Sequence, residues 1–489
     1  MPTCPAPIQL SAEGQRIVSS TARRLVVQAG AGTGKSTTLQ AYALARPRQR
    51  MLCLAYNKAI QLEAAARMPS NVVCRTSHAL AYKVARALFG SRVEQRVGKT
   101  YPSTVARVLG CSPLAANAAL AAIQAWCGSL DEQLGMDHLP NHIVVRLGEP
   151  RVLLQLAQLL WEHMVDPHET EIRLPHDGYL KLYQLQQPLL REFGVVLVDE
   201  AQDLNHCTFD VVTRQDATIV MVGDEAQSIN GYRGSVNALR LLDADERLPL
   251  MSSWRFGEGI AHMANALLSN FKGEFMHPIV GAGEPRKTRL DVDVTRPFAI
   301  ITRTNAMAFE EAVNFLDLDR SYHFIGGTEG YRLEKILDAY HLWMGERAMV
   351  RDPYLRSFPS FAELAELALD AEDAELKQLV RAVERYGGRI PVLIDEITAR
   401  HVKMNKSAWA QFDGIFIGTT HKTKGLEFEQ VWLADDYMPF FEEGRELELG
   451  EVETEEVHLL YVGLTRARAA VRLPEEFAHW LEHRRLLPA

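Results

Sequence analysis

The sequence predicts an α/β fold: two parallel-sheet lobes, each carrying a mainly helical insertion. Two observations predict it. Short apolar runs recur that each end in a polar turn, and two long Ala/Leu-rich stretches interrupt them. The first set of runs is Leu25–Val27, Met51–Ala55, Val72–Cys74, Val195–Val198 and Thr218–Val222. Continuous apolar runs of this length mark strands buried on both faces of a parallel sheet. A second set, Phe298–Ile301, Tyr322–Ile325, Gly414–Ile417, Gln430–Leu433 and Ala469–Leu473, follows the same grammar. Residues 86–171 (TVARVLG, NAALAAIQAW, RVLLQLAQLLWEHM) and 331–411 (FAELAELALDAEDAELKQLVRAVERYGG) have helical periodicity instead, one insertion per lobe. The expected organisation is therefore 1–85 with 172–250 as the first lobe and 86–171 as its insertion. Residues 251–330 with 412–489 form the second lobe, and 331–411 its smaller insertion.

At 489 residues the chain exceeds what one core supports, and its 47% hydrophobic content is ordinary for globular proteins. There is no uninterrupted apolar run of membrane-spanning length, and Met1–Ser20 lacks a basic region followed by an apolar one, so neither insertion nor secretion is expected. The six cysteines have no Cys-x-x-Cys spacing, which fits a reducing cytoplasm. A cytoplasmic chain of bacterial or phage type is the expectation. The formal net charge of −9 looks unsuited to a polyanion, but residues 442–456 hold eight acids and one arginine and carry most of it. That run reads either as a solvated loop or as a partner-docking or autoinhibitory segment.

The turn after the first apolar run is Ala29-Gly30-Ala31-Gly32-Thr33-Gly34-Lys35-Ser36, followed by Thr37 and a helix-prone stretch reaching about Arg46 and stopped by Pro47. Glycines let backbone N–H groups face phosphate oxygens, Lys35 reaches the β/γ positions, and the Ser36 hydroxyl can hold Mg²⁺. The helix N-terminus adds its positive end. The strict pattern has Gly where this chain has Ala29. A nucleoside triphosphate is the implied ligand.

The run Val195–Val198 ends in Asp199-Glu200, two carboxylates beyond a buried strand. Asp199 suits the Mg²⁺ shell, and Glu200 suits orienting or deprotonating an attacking water. In the next turn, VGDEAQSINGYRGS, Gln227 can sense a γ-phosphate through a neutral amide. Tyr232 offers either a stacking face for a nucleobase or a half-buried core aromatic, beside Arg233. Arg255, in SSWRFGEG, precedes a predicted helix Ile260–Leu268, where a cation opposes the dipole and calls for an anionic partner. Arg466, in YVGLTRAR, is a second candidate for a transferring phosphoryl group; a surface salt bridge is the other reading for each arginine. The turn GTTHKTKGLEF mixes hydroxyls with His421, Lys422, Lys424 and Gly425, suited to phosphate or ribose contacts.

Taken in this order, the phosphate loop, VLVDEAQD, VGDEAQSINGYRGS, SSWRFG, GTTHKTKGLEF and LLYVGLTRAR resemble the UvrD/Rep group of superfamily-one DNA helicases over nearly the whole chain. Within it, Leu54–Tyr82 and HDGYLKLYQL (His176–Leu185) look similar to the helicase part of the F-box DNA helicases. The stretch before the phosphate loop is too short for an F-box, so no ubiquitin-ligase role is carried over.

The resemblance implies two RecA-like lobes of P-loop NTPase type, with ATP and Mg²⁺ in the cleft and single-stranded DNA, or a single/double-strand junction, across their tops. It implies that Gln15 reads adenine, that Lys35, Ser36, Asp199, Glu200 and Gln227 form the first lobe's catalytic set, that Arg255 and Arg466 reach the γ-phosphate, and that Glu427 holds the ribose. Tyr56, Asn57, Thr76, His78, Tyr232, Arg233, Thr420 and His421 fall in turns that contact DNA. Family members move 3′ to 5′ and serve DNA repair and recombination, with repair proteins as partners; a monomer is expected. His458 stands where many relatives carry Arg, and the second insertion is short for the group. The rival readings are a translocase that strips proteins from DNA, and an ATP-gated binding or scaffolding module docking through 442–456.

Overall fold

The computed structural model describes residues 8–55, 57–141, 149–229, 237–272, 277–370 and 374–488. The chain divides into two compact units, residues 1–30 with 34–250, and residues 31–33 with 251–489. Both are built on parallel sheets, as the apolar runs require.

The first unit holds strands β1 (Arg24–Ala29), β2 (Met51–Ala55), β3 (Val72–Thr76), β4 (Val195–Val198), β5 (Thr218–Gly223) and β6 (Glu246–Leu250). They pair in the order β3-β2-β4-β5-β1-β6, every pairing parallel. Alternate residues feed two cores, as a period of two dictates. Leu25, Val27, Met51, Cys53, Leu197 and Val222 pack on one face, and Val26, Leu52, Val196, Val198 and Met221 on the other.

Strand β6 was not expected. Its sequence, ERLPL, alternates rather than running apolar, and only Leu248 and Leu250 are buried. An edge position explains this: β6 pairs with β1 alone, and there Pro249 and the charges of Glu246 and Arg247 are tolerated.

The helical stretch of this unit comprises Pro102–Leu109, Pro113–Gly128 and Pro150–Val165. It shares a core with helices Ser77–Phe89 and His176–Leu185, through Ala81, Ala85, Tyr179 and Tyr183. The boundary expected at residue 86 thus falls inside a helix, because the apolar face of Ser77–Phe89 is completed by the insertion rather than by the sheet. Arg96, 1% exposed, caps the end of helix Pro150–Val165 by donating to the carbonyls of His163 and Met164, both at 3.2 Å.

The second unit holds β7 (Phe298–Thr302), β8 (Tyr322–Phe324), β9 (Ile415–Thr419), β10 (Phe428–Leu433) and β11 (Ala467–Arg472), paired in parallel in the order β8-β9-β7-β10-β11. Helices Leu333–Trp343, Phe361–Asp370, Ala374–Tyr386 and Ile390–Ala399 share one core with β7, β8 and β9. Helix Thr454–Leu464 is buried along its whole inner length, Val457 to Leu464.

The acidic run 442–456 has a structure of its own. Phe441–Glu442 and Arg445–Glu446 form a small antiparallel hairpin whose turn residues Glu443 and Gly444 have φ 50° and 79°. Several of its acids are engaged within the unit, including Glu446 with Arg484 at 2.7 Å, Glu451 with Arg445 at 2.8 Å, and Glu456 with Arg303 at 2.7 Å. Among the described residues no single helix is long and apolar enough to cross a membrane.

Candidate nucleoside triphosphate site

Strands β4, β5 and β1 are consecutive neighbours in the first sheet, so the turns leaving their carboxyl ends converge. Ala29 is the last residue of β1, in register with Leu250. It lies in extended strand, which explains why glycine is not needed there. Gly32 and Gly34, at φ 71° and 81°, adopt conformations that a side chain would strain, and Gly34 caps helix Lys35–Leu44. The Gly30 N–H donates to the Leu250 carbonyl at 3.0 Å and fixes the entry to the loop. Helix N-terminal N–H groups and the loop then supply an anion-binding cradle.

Around this cradle the unit gathers its charged residues. The Ser36 hydroxyl donates to Asp199 Oδ2 at 2.8 Å, and the Glu200 N–H donates to Asp199 Oδ1 at 3.0 Å. Lys35 Nζ lies 3.4 Å from Glu200 Oε1. Glu200 itself has φ 53°, a left-handed conformation that costs a non-glycine residue roughly 1–3 kcal/mol and persists where its surroundings enforce it. Burial, reinforced by the adjacent Glu200 charge, pushes the Asp199 carboxyl up to about 6 against the pull of Lys35 and the Ser36 hydroxyl. Beyond β5, Gln227 Nε2 donates to Asp224 Oδ2 at 2.7 Å. Thr37 is exposed in the first turn of the helix, and Gln15 is exposed on the upstream helix Ala12–Ser19.

Ser36 and Asp199 present two hard oxygen donors side by side, the limited protein share that Mg²⁺ takes when phosphates and waters complete its shell. Among the described residues no cluster of three or more His, Cys, Asp or Glu could hold a metal by itself.

In the second unit, Arg255 precedes helix Glu258–Phe271. Its anionic partner in this structure is Glu427, Nε to Oε2 at 2.9 Å, while Nη1 donates to the Thr465 carbonyl at 2.9 Å. Arg466 is 1% exposed and donates from Nε to the Val462 carbonyl at 2.9 Å, from Nη1 to the Leu426 carbonyl at 3.1 Å and from Nη2 to Thr465 Oγ1 at 3.4 Å. Arg255, Glu427 and Arg466 are thus gathered around Thr465. A phosphate contact by Arg466 requires its guanidinium to exchange some of these carbonyls.

The sequence matches the UvrD-like helicase C-terminal domain over residues 360–473 and an AAA domain over residues 14–233. It is 29% identical to F-box DNA helicase 1 of Gallus gallus over 97% of this chain and 50% of that protein. It is 30% identical to F-box DNA helicase protein 1 of Schizosaccharomyces pombe over 91% of this chain and 54% of the relative. The chain is a homologue of the UvrD-type DNA helicases. DNA helicase II of Escherichia coli is 28% identical over 36% of this chain. The chain spans about half the length of the F-box relatives it matches.

In this UvrD-type homologue the residues expected to meet DNA stand in different settings. Tyr56, Tyr232 and Arg233 lie outside the described residues. Asn57 and Thr76 cap helices, accepting from the N–H groups of Ile60 at 2.9 Å and Ala79 at 3.1 Å, so their side-chain oxygens already serve the backbone. His78 bonds Asp177 at 3.0 Å and packs edge-on to Tyr179; together with Asn57 and Asp177 it lines a cavity of about 480 Å³ whose other residues include Asp199 and Glu200.

Thr420, the first residue of the short helix Thr420–Thr423 that follows β9, is fully buried, with its hydroxyl 2.6 Å from that of Tyr437. His421, next to it, is partly exposed. Lys422 also turns inward, Nζ 3.1 Å from the centre of the Tyr331 ring, and burial lowers its pKa to about 8.

Two residues of this candidate site went unnoticed in the sequence. Gln202 joins Glu200 to Asp224, donating to Glu200 Oε2 at 2.6 Å and accepting from the Asp224 N–H at 3.1 Å. Thr465 joins the two arginines. Both stand inside motifs, but a turn amide or hydroxyl carries no signal until its partners are known.

Proposed function

We propose that the chain is an ATP-dependent DNA helicase or translocase that moves along single-stranded DNA, 3′ to 5′, and couples hydrolysis to strand separation or protein removal in DNA repair or recombination. The observation that carries this reading is the convergence of Lys35, Ser36, Asp199 and Glu200 beyond neighbouring parallel strands.

Ser36 and Asp199 would hold Mg²⁺, which supplies charge neutralisation on the phosphates when bound. Lys35 grips the β/γ oxygens, Glu200 orients the attacking water and takes its proton, and Gln227 reads the γ-phosphate. Arg255 and Arg466 are the candidate cations for the charge that develops on the transferring group, with Glu427 and Gln15 for the ribose and base. Hydrolysis changes the charge these groups face, and a two-state movement converts that change into a shift of grip on DNA by Asn57, Thr76, His78 and His421, with Tyr56, Tyr232 and Arg233 as further candidates. The chain is proposed to act as a monomer.

Internal ion pairing of Glu446, Glu451 and Glu456 weighs against a scaffold that docks partners through the acidic run. A strand-displacement assay on duplexes with 3′ or 5′ tails, beside clearance of a protein filament, tests the proposal. ATP-dependent displacement or clearance from the 3′-tailed substrate supports it; DNA binding with neither activity would favour the ATP-gated module.

A further inference from the structure

We propose that Gln202 is a positioning residue that couples Glu200 to the turn carrying Gln227, an inference that rests on the ATPase reading above. Gln202 is 0% exposed. Its amide spans two turns: Nε2 donates to Glu200 Oε2 at 2.6 Å, and Oε1 accepts from the Asp224 N–H at 3.1 Å. The orientation is forced chemically. A backbone N–H can only donate, so the carbonyl end must face Asp224, which leaves the NH₂ end for a carboxylate that can only accept.

Glu200 is thereby held at both oxygens by different groups, Oε2 by Gln202 and Oε1 by Lys35 at 3.4 Å. When Lys35 engages phosphate, Gln202 still fixes the carboxylate and leaves Oε1 aimed for water. The far end of the link is equally determined. Asp224 Oδ1 accepts from the Ala226 N–H at 3.0 Å and Oδ2 from Gln227 Nε2 at 2.7 Å. A Cβ at Gly223 would stand 2.3 Å from Gln202 Oε1, so that glycine makes room for the amide.

Gln227, Asp224, Gln202 and Glu200 thus form a continuous hydrogen-bonded series in which Gln202, Asp224 and Gln227 are buried, and such networks have few alternative arrangements. A displacement of Gln227 by the terminal phosphate moves Glu200. Gln202 touches neither substrate nor reacting atoms; it acts through Glu200.

The test uses the full chain with Gln202→Met, which keeps volume and loses both bonds, and Gln202→Glu, which keeps the acceptor for Asp224 and replaces the donor with an oxygen. ATP turnover with saturating single-stranded DNA, affinity for a fluorescent ATP analogue and thermal midpoint are measured. Both variants are expected to lose kcat at least about tenfold while KM and analogue affinity stay within about threefold. Single-turnover hydrolysis by the double variant Gln202→Met/Glu200→Gln is expected to match that of Glu200→Gln alone.

Wild-type-like turnover of Gln202→Glu would mean that only the Asp224 contact matters, and a multiplicative loss in the double variant would mean that Gln202 acts apart from Glu200; either overturns the coupling. If Gln202→Met melts early, the near-isosteric Gln202→Glu decides. Absence of ATP turnover in the wild type would instead sink the ATPase reading itself.

Discussion

Lys35 Nζ stands 3.4 Å from Glu200 Oε1, so the cation proposed to grip phosphate and the carboxylate proposed to orient water neutralise one another. Nucleotide must compete with Glu200 for Lys35. Lys35→Ala is therefore expected to weaken binding of an ATP analogue and to abolish turnover. Glu200→Gln, which keeps the shape and removes the base, should retain analogue binding and lose turnover at least about 100-fold. Wild-type-like hydrolysis by either variant would remove these residues from the site.

Arg255 bridges Glu427 and the Thr465 carbonyl through different nitrogens of one guanidinium. A lysine has no such fork. Arg255→Lys is thus expected to behave like Arg255→Ala, lowering DNA-stimulated kcat by about tenfold or more, with thermal midpoints near wild type. Full activity of the lysine variant would mean that charge alone suffices.

Thr420 and His78 separate a core hydroxyl from an accessible ring. Thr420→Val leaves the Tyr437 hydroxyl without its 2.6 Å partner and is expected to cost about 1–3 kcal/mol of stability, while DNA affinity changes less than twofold. His78→Ala should do the reverse, weakening DNA stimulation with little loss of stability. Fluorescence-anisotropy titration beside thermal melting distinguishes them; a large loss of DNA affinity in Thr420→Val would contradict a purely core role for this hydroxyl.

Glu311, buried on helix Asn305–Asn314, is raised from 4.5 to about 7, mainly by desolvation and against the pull of Arg472. Between those values the unfolded chain has released the proton and the folded unit keeps it, so stability falls as pH rises through the window. Glu311→Gln removes that loss. The variant should be more stable than wild type at pH 8, by on the order of 2–3 kcal/mol, with the gap closing near pH 5. Equal denaturant midpoints at pH 8 would contradict this.

Ten of the eleven strands of the two large sheets were legible, the seven inner ones because residues such as Leu197 and Ile417 lie under cover on both faces, which demands unbroken apolar runs. Strand β6 was not, since its edge position allows Glu246, Arg247 and Pro249. The hairpin at Phe441–Glu446 was hidden by its brevity and its charge. At the site, residues whose chemistry is intrinsic, such as Lys35 and Asp199, announced themselves by type and spacing. Gln202 and Thr465 did not, because their roles arise only when β4 lies beside β5 and when the start of helix Glu258–Phe271 lies near the end of helix Thr454–Leu464. Arg466 was legible as a candidate cation for a transferring phosphoryl group, but not in its burial or its present bonding to the carbonyls of Val462 and Leu426.

The most direct test is the ATP hydrolysis rate of the wild-type chain and of Glu200→Gln with no nucleic acid, with single-stranded DNA and with RNA of equal length. A DNA-driven motor requires wild-type turnover that rises at least about tenfold with single-stranded DNA, and turnover at least about 100-fold below wild type in Glu200→Gln under every condition. Hydrolysis indifferent to DNA, or surviving intact in Glu200→Gln, would contradict it.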